Sequence, residues 1–387
     1  MSSGTLRVGV FGLRRGLNLA VQAEAAGMQV SAVCDQDTLR LQAAGHYLDA
    51  ALYEDFEPFI EHEMDAVVLA NFFDEHAPYA MRALEAGKHV LSETAACRSI
   101  GEGVALIRAV ERSGLVHMFG ETFPYLPHAL EMRRLYRSGE VGSFLYGESE
   151  YIDPIDPAAF RSEDYAPAGH WRRRISWVAY STHSIAPIMH ITDTLPTRVT
   201  AGFIPRETDE EGRRAAARGA GSGAAMLIHM SNGGVLRSLQ GSFPGRQFSW
   251  MRIHGTRGLI ENLRQGDPTM LRLRKEPWTA EVGEELERVV SASPWPRSPV
   301  APVAGYGVEE FPQYGETDYL LCREFERAIR SGEPPSLDVY RGVAATAVGV
   351  CAFHSAIRGS APVEVPDLRN EDARDPYESD ERSWLIS

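Results

Sequence analysis

Short apolar runs alternate with amphipathic stretches through the first 120 residues of the chain. Residues 6–11 (LRVGVF) are apolar and stop at Gly12, apolar positions recur at helical spacing from Leu17 to Ala23, and residues 28–34 (MQVSAVC) form a second run ending on Asp35. Uninterrupted apolar runs of this length are typical of strands buried on both faces. The rhythm continues through 64–70 (MDAVVLA), a helix from Pro78 to Gly87, a run at 89–92, a helix from Ser99 to Gly114 and a run at 115–119. Ser99 and Glu102 form an S-x-x-E capping box that opens the last of these helices, and Gly114 closes it. Strands and helices alternating in this way predict a doubly wound parallel sheet, which binds ligands at the carboxyl ends of its strands.

After residue 120 the period changes. A helix is predicted over 127–139, and residues 142–151 alternate as a half-exposed strand does. Further strands are read at 197–204, 224–230, 235–242, 249–254, 259–262 and 270–274, with Asn232-Gly233-Gly234 as a hairpin turn. This half reads as an α+β domain on an open, mainly antiparallel sheet of six or seven strands. Residues 153–179 have no period and carry many polar and aromatic side chains, as binding loops do. The charged, glycine-rich stretch 206–223 reads as an exposed, mobile loop. The expected division is 1–124 and 125–387, with the last helices (about 313–358) packing back towards the first domain.

Composition narrows the partners. A chain of 387 residues can bury two cores, and its formal charge of −14 repels nucleic acid and anionic lipid. The four cysteines (Cys34, Cys97, Cys322, Cys351) form no C-x-x-C pair, which argues against a zinc site or disulfide framework and fits a reducing compartment. Residues 1–12 have no apolar signal segment, and no run of about 18 apolar residues occurs. A cytoplasmic setting without a membrane partner is expected.

The chemistry begins at the first turn, residues 12–16 (GLRRG). A glycine turn leading into a helix lets backbone N–H groups approach a pyrophosphate, and an acidic residue about 20 positions on accepts hydrogen bonds from a ribose diol. Gly12, Leu13, Arg14, Arg15, Gly16 and Asp35 fit that arrangement, and the carboxylate of Asp35 favours NAD over NADP by repelling a 2′-phosphate. Arg14 stands where a G-x-G-x-x-G turn has its second glycine, and the third is displaced to Gly16. Arg14 and Arg15 are therefore read either as phosphate-binding charges or as solvated arginines of a tight turn. The strand ends add Asn71, His76, Glu93, Thr94, Glu121 and Thr122 to the crevice, with His76 equally suited to stabilising its own loop.

One segment of the second half, 170–189 (HWRRRISWVAYSTHSIAPIM), concentrates chemistry-bearing residues. His183 is suited to accept a proton near neutrality, and Tyr180, three residues earlier, shares a helical face with it. Trp171 and Arg172 join the expected cofactor set. Tyr151, Arg172, Tyr180 and His183 make up the substrate set. Taken singly, Trp171 also suits a core position and Arg172–Arg173–Arg174 a solvated charge run. His183 and His190 share a helix face, but two histidines without a third ligand make no metal site.

The stretch AGKHVLSETAA, following a loop with N-x-x-x-x-H-A-P, resembles the nucleotide domain of the Gfo/Idh/MocA oxidoreductases. The stretch EFERAIRSGEPPSLDVYRGVAATAVGVCAFHSAIRGSAPVEVP resembles that family's last helices and closing strand. The family pattern has Glu-Lys-Pro where this chain has Glu93-Thr94-Ala95, and D-x-x-x-H where it has Ala179 ahead of His183, so the family's lysine and aspartate are absent. The W-R pair at 171–172, Tyr180-x-Thr182-His183 and the Tyr151-Ile152 pair resemble the branch that includes NAD-dependent α-N-acetylgalactosaminidases. The resemblance implies transient oxidation of a ring hydroxyl, loss of the aglycone, addition of water and re-reduction. It also implies a homo-oligomer, dimer or tetramer, formed through the C-terminal sheet. Three readings follow: an NAD-dependent oxidoreductase acting on a sugar or glycoside hydroxyl, a redox-neutral NAD-dependent glycosidase or lyase, and a non-catalytic NAD-binding regulator.

Overall fold

Buried valines and a glycine-tight packing layer set the first architecture. In a computed structural model, which describes residues 4–155, 166, 169–244, 248–264, 267, 269–292, 295–303 and 314–386, the chain divides into two compact units. The first comprises residues 1–125 and 295–343, the second residues 126–294 and 344–387. A single division near residue 124 therefore captures only the first of three crossings.

In the first unit, strands β1 (Arg7–Phe11), β2 (Gln29–Cys34), β3 (Ala51–Tyr53), β4 (Ala66–Leu69), β5 (His89–Ser92) and β6 (His117–Phe119) form a parallel sheet in the order β3-β2-β1-β4-β5-β6. Val8, Val10, Val67 and Val68 are fully buried, each contributing roughly 1.5–3 kcal/mol of apolar transfer. Helices α1 (Leu13–Ala25), α2 (Thr38–Ala44), α3 (Phe56–Ile60), α4 (His76–Glu85) and α5 (Ile100–Ser113) connect the strands. The α5 cap forms as its sequence directs. Ser99 Oγ accepts from the Glu102 N–H at 3.2 Å, and Gly114 ends the helix at φ +65°, while the Glu102 carboxylate turns to the Arg98 N–H rather than completing the box on Ser99. The outer edge of β6 is covered by residues 337–338, with Phe119 N donating to Leu337 O at 2.8 Å. An open edge invites pairing with other chains, so this cover closes it.

The second unit is built on nine strands in the order β14-β13-β12-β11-β7-β10-β9-β8-β15. These are β7 (Phe144–Ile152), β8 (Pro196–Ile204), β9 (Gly223–Met230), β10 (Val235–Gly241), β11 (Phe248–Gly255), β12 (Gly258–Asn262), β13 (Met270–Lys275), β14 (Glu287–Ser291) and β15 (Val363–Glu364). Neighbours are antiparallel except β7 and β10, which run parallel. The sheet is larger than the six or seven strands expected, because β14 and β15 are too short to carry a clear alternation. Helices α6 (Pro127–Arg137) and α7 (Thr182–Thr192) pack on one face. On the other face, cross-strand register aligns Glu148 with Arg237 and Arg252, and Glu261 with Arg252 and Arg272, in a ladder of ion pairs.

The stretch 206–223 is not simply a loop. It contains helix α8 (Glu210–Ala217), started by Asp209, whose side chain accepts from Gly212 N at 2.7 Å, and supported by the Glu210–Arg214 pair one turn apart. Of the 153–179 segment, residues 156–165 and 167–168 lie outside the described residues; the remainder holds two 3₁₀ turns, Trp171–Arg173 and Trp177–Ser181. Two further helices, α9 (Tyr314–Ser331) and α10 (Val339–Ile357), complete the chain. Among the described residues, no helix is long and apolar enough to cross a membrane.

Burial also fixes a pH dependence. His76, His117 and His128 are lowered by burial from their ordinary 6.5 to about 4. Between those two values the unfolded chain binds more protons than the folded one, so the stability of neutral histidine is complete above about 6.5 and is lost as pH falls towards 4. The thermal unfolding midpoint is expected to fall between pH 7 and pH 5. A midpoint flat across that interval would contradict neutral burial of these side chains.

Candidate functional site

The first unit assembles its candidate residues at the carboxyl ends of β1, β2, β4 and β5, around the reversal in strand order between β1 and β4. Gly12 adopts φ +90°, and a Cβ there would stand 2.4 Å from the Ala70 carbonyl oxygen, so only glycine fits this turn. Gly16 allows α1 to lie against the sheet, since a Cβ would meet Val10 Cγ1 at 2.8 Å. Asp35, at the end of β2, accepts from Leu13 N at 2.6 Å and from Asp37 N at 2.9 Å. It caps α1 directly, a role that a ribose contact alone would not reveal. Asn71, just past β4, has both amide atoms buried without a hydrogen-bond partner among the described residues.

Arg15 is held by protein carboxylates. Its guanidinium makes a paired contact with Asp318 of α9 at 2.6 and 2.5 Å and reaches Glu93 at 3.0 Å. Asn18, one turn along α1, donates to the same Asp318 carboxylate at 2.5 Å and accepts from Val303 N at 3.1 Å. Arg15 is therefore an internal clamp between α1 and α9. Arg14 is half-buried on the same turn. Burial raises the Glu93 carboxyl above its ordinary range, with Asp318 and Glu121 adding to the effect and Arg15 opposing it. Raised in the folded state, this group destabilises as pH rises through its titration, opposite in sign to the histidines. His76 Nδ1 lies 3.1 Å from the Ala95 carbonyl, so it secures the backbone beside Thr94. Thr94 and Thr122 are both buried near these strand ends. Asp318 and Asn18 had not been picked out as site residues. Their sequence signal is the polar pair Asn18 and Gln22, four residues apart on the apolar face of α1.

In the second unit, Tyr151 of β7 joins Tyr180 and His183. The Tyr151 and His183 rings meet edge to face at 4.7 Å, and the Tyr180 ring lies 5.8 Å from His183 and 6.3 Å from Tyr151. Tyr180 belongs to a 3₁₀ turn and His183 to α7, so the change of helix type, not one regular turn, sets their spacing. Pro187 lies inside α7 and removes the helical N–H donor to the carbonyl of His183. Beneath them, Ser184 Oγ contacts Ser238 Oγ at 2.7 Å, and Ser238 donates to Gln240 at 2.9 Å, tying α7 to β10. Arg172 lies 4.3 Å over the Trp171 ring, and Trp171 stacks on His170 at 5.3 Å. Ala179 is buried and brings no acid–base group to the cluster.

The first unit fits a dinucleotide. A glycine-only turn opens α1, an acid stands at the end of β2, and the buried amide of Asn71 beyond β4 has no hydrogen-bond partner among the described residues; all three lie along the strand ends where the strand order reverses. The fold and these residues define a dinucleotide-binding domain. Residues 6–121 match the GFO_IDH_MocA family, described as an oxidoreductase family with an NAD-binding Rossmann fold. Residues 6–121 are thus the part of the chain that is similar to that family, as an NAD-binding Rossmann domain.

Over nearly its full length the chain is 26% identical to a glycosyl hydrolase family 109 protein of Saccharopolyspora erythraea, covering 94% of this chain and 83% of that one. It is 23% identical to an α-N-acetylgalactosaminidase of Bacteroides fragilis, covering 92% and 90%. Its fold is shared with levoglucosan dehydrogenase in complex with NADH and levoglucosan, at a TM-score of 0.75 and 20% identity over 94% of this chain and 100% of that one.

Replacing Asp35 by serine is expected to weaken NAD binding about tenfold or more, since hydrogen bonds to a charged acceptor are each worth about 1.5–3 kcal/mol. The same change should narrow the preference for NAD over NADP. Fluorescence titration with both cofactors measures the ratio, and an unchanged ratio would remove Asp35 from the ribose site.

Proposed function

We propose that the protein oxidises a ring hydroxyl carbon of a sugar or glycoside. The observation that carries this reading is the convergence of Tyr151, Tyr180 and His183 in a chain whose first unit binds NAD. NAD, when bound, supplies the hydride acceptor. Asp35, Asn71 and the Gly12 turn would hold it. His183 takes the hydroxyl proton through its imidazole as the C–H bond of the same carbon breaks, and a ketone results. Tyr180 donates to or accepts from a neighbouring oxygen and fixes the ring against His183. Tyr151 supports the imidazole edge to face, and Arg172 holds a further hydroxyl with its planar donor fork.

A second reading is supported by the two relatives above, named for glycoside hydrolysis, and by Thr94 and Ala179 at the positions of the family's lysine and aspartate. In it the ring regains its original oxidation state and the net product is a released aglycone. A panel of free sugars and aryl glycosides distinguishes the two readings when cofactor reduction and aglycone release are followed together. Accumulating NADH with a keto-sugar supports oxidation. Aglycone release without added NAD or net NADH supports the redox-neutral outcome, and neither signal with any sugar would sink both.

We further propose a homo-oligomer formed through the ion-pair face of the large sheet, and a cytoplasmic setting. Light scattering on the purified chain tests the first, with a monomer as the contrary result.

A further inference from the structure

We propose that a cavity of about 420 Å³ in the second unit is a second sugar subsite, holding the neutral ring of a glycoside that is not oxidised. The proposal rests on the carbohydrate reading above and extends it to a disaccharide-sized substrate. The volume falls in the range of about 300–1,000 Å³ usual for small-molecule sites. The cavity is walled by the 172–177 segment, by α8 with its preceding turn, and by Ile386.

The wall carrying Ile386 is built into the fold. Ile386 N donates to Arg174 O at 2.6 Å, Ser176 N donates to Trp384 O at 3.2 Å, and Ile175 bridges Leu385 antiparallel. Trp384 is fully buried and anchors this strand-like segment. Residues 384–386 are thus fastened to the stretch that leads directly into Tyr180 and His183.

The lining points to a neutral polyol. Arg172, Arg173 and Arg206 face the same cavity as Glu207, Asp209 and Glu211, so the charges balance and neither an anion nor a cation is favoured. Guanidinium forks donate to paired hydroxyls and carboxylates accept from them. Ile175, Trp177 and Ile386 give apolar surface to the C–H face of a ring. The position is also apt. Trp177 lines the cavity, and its ring lies 5.3 Å from that of Tyr180.

The test is equilibrium binding to the full-length protein with NAD present, using a panel of α- and β-linked disaccharides and their component monosaccharides, followed by calorimetry. At least one disaccharide is expected to bind tenfold or more tightly than either component. Arg206→Ala, and separately Ala215→Trp, which fills the cavity from α8, should each bring that ratio to within about twofold while leaving monosaccharide binding unchanged. Disaccharides binding no better than monosaccharides would overturn the subsite, as would a ratio that survives both substitutions or a preference for uronic acids or sugar phosphates. A chain that binds and oxidises monosaccharides without a disaccharide advantage loses only the subsite. One that binds no sugar loses the carbohydrate reading as well.

Discussion

Replacing His183 by alanine should lower turnover by about 10²–10⁴-fold, the usual contribution of a positioned general base. In the proposed reaction the imidazole accepts the proton, in the cluster where Tyr151 and Tyr180 stand 4.7 and 5.8 Å away by ring centroid. The phenols of the two tyrosines are poor bases near neutrality, and Ala179 provides no replacement carboxylate. NAD affinity should not change, because Gly12, Asp35 and Asn71 belong to the first unit and His183 to the second. Tyr180→Phe should cost less, about tenfold, if its hydroxyl orients the substrate without accepting the proton. Steady-state turnover alongside cofactor titration measures both quantities. Retained turnover in the His183 variant would remove the histidine from the chemistry.

Asp318→Ala should be the most damaging single change in the first unit, costing about 3–5 kcal/mol, the usual loss when one partner of a buried ion pair is removed. Asp318 is fully buried and receives two contacts from Arg15 and one from Asn18. Without it, the Arg15 guanidinium loses its paired carboxylate, and Asn18 loses its acceptor. NAD affinity should fall too, since these contacts hold the first turn of α1, which carries Gly12 and Gly16. Asp318→Asn should be milder, because an amide oxygen still accepts from Asn18 and from one arm of Arg15. Denaturant unfolding monitored in the absence of cofactor reads the difference. A loss below about 1 kcal/mol would show that the clamp contributes little.

The parallel sheet was legible because each of its long strands is a continuous apolar run ending in a glycine, an acid or a polar loop. β3 and α3 were not, since three- and five-residue elements are too short to express a period. Helix α8 was hidden by the glycines and arginines around it; its start depends on the Asp209 cap and its face on the run of alanines. At the candidate site, local pattern and family resemblance single out Tyr151, Tyr180 and His183, and the fold brings their rings together. The Arg15–Asp318 pairing was not legible, because the two residues lie 303 positions apart and no local periodicity encodes such a pairing. The cavity beside Trp177 was equally hidden, since its walls come from 172–177, 206–221 and Ile386.

In the proposed reaction a ring C–H bond is broken as His183 takes the hydroxyl proton. This step is tested most directly with a glycoside or sugar substrate carrying deuterium at its ring carbons, incubated with the protein and unlabelled NAD. Deuterium is expected in the recovered nicotinamide ring, or returned to the sugar through transient NADH if the cofactor is recycled, with both signals lost in His183→Ala. Consumption of the labelled substrate with no deuterium in the cofactor and no transient NADH on rapid mixing would contradict it.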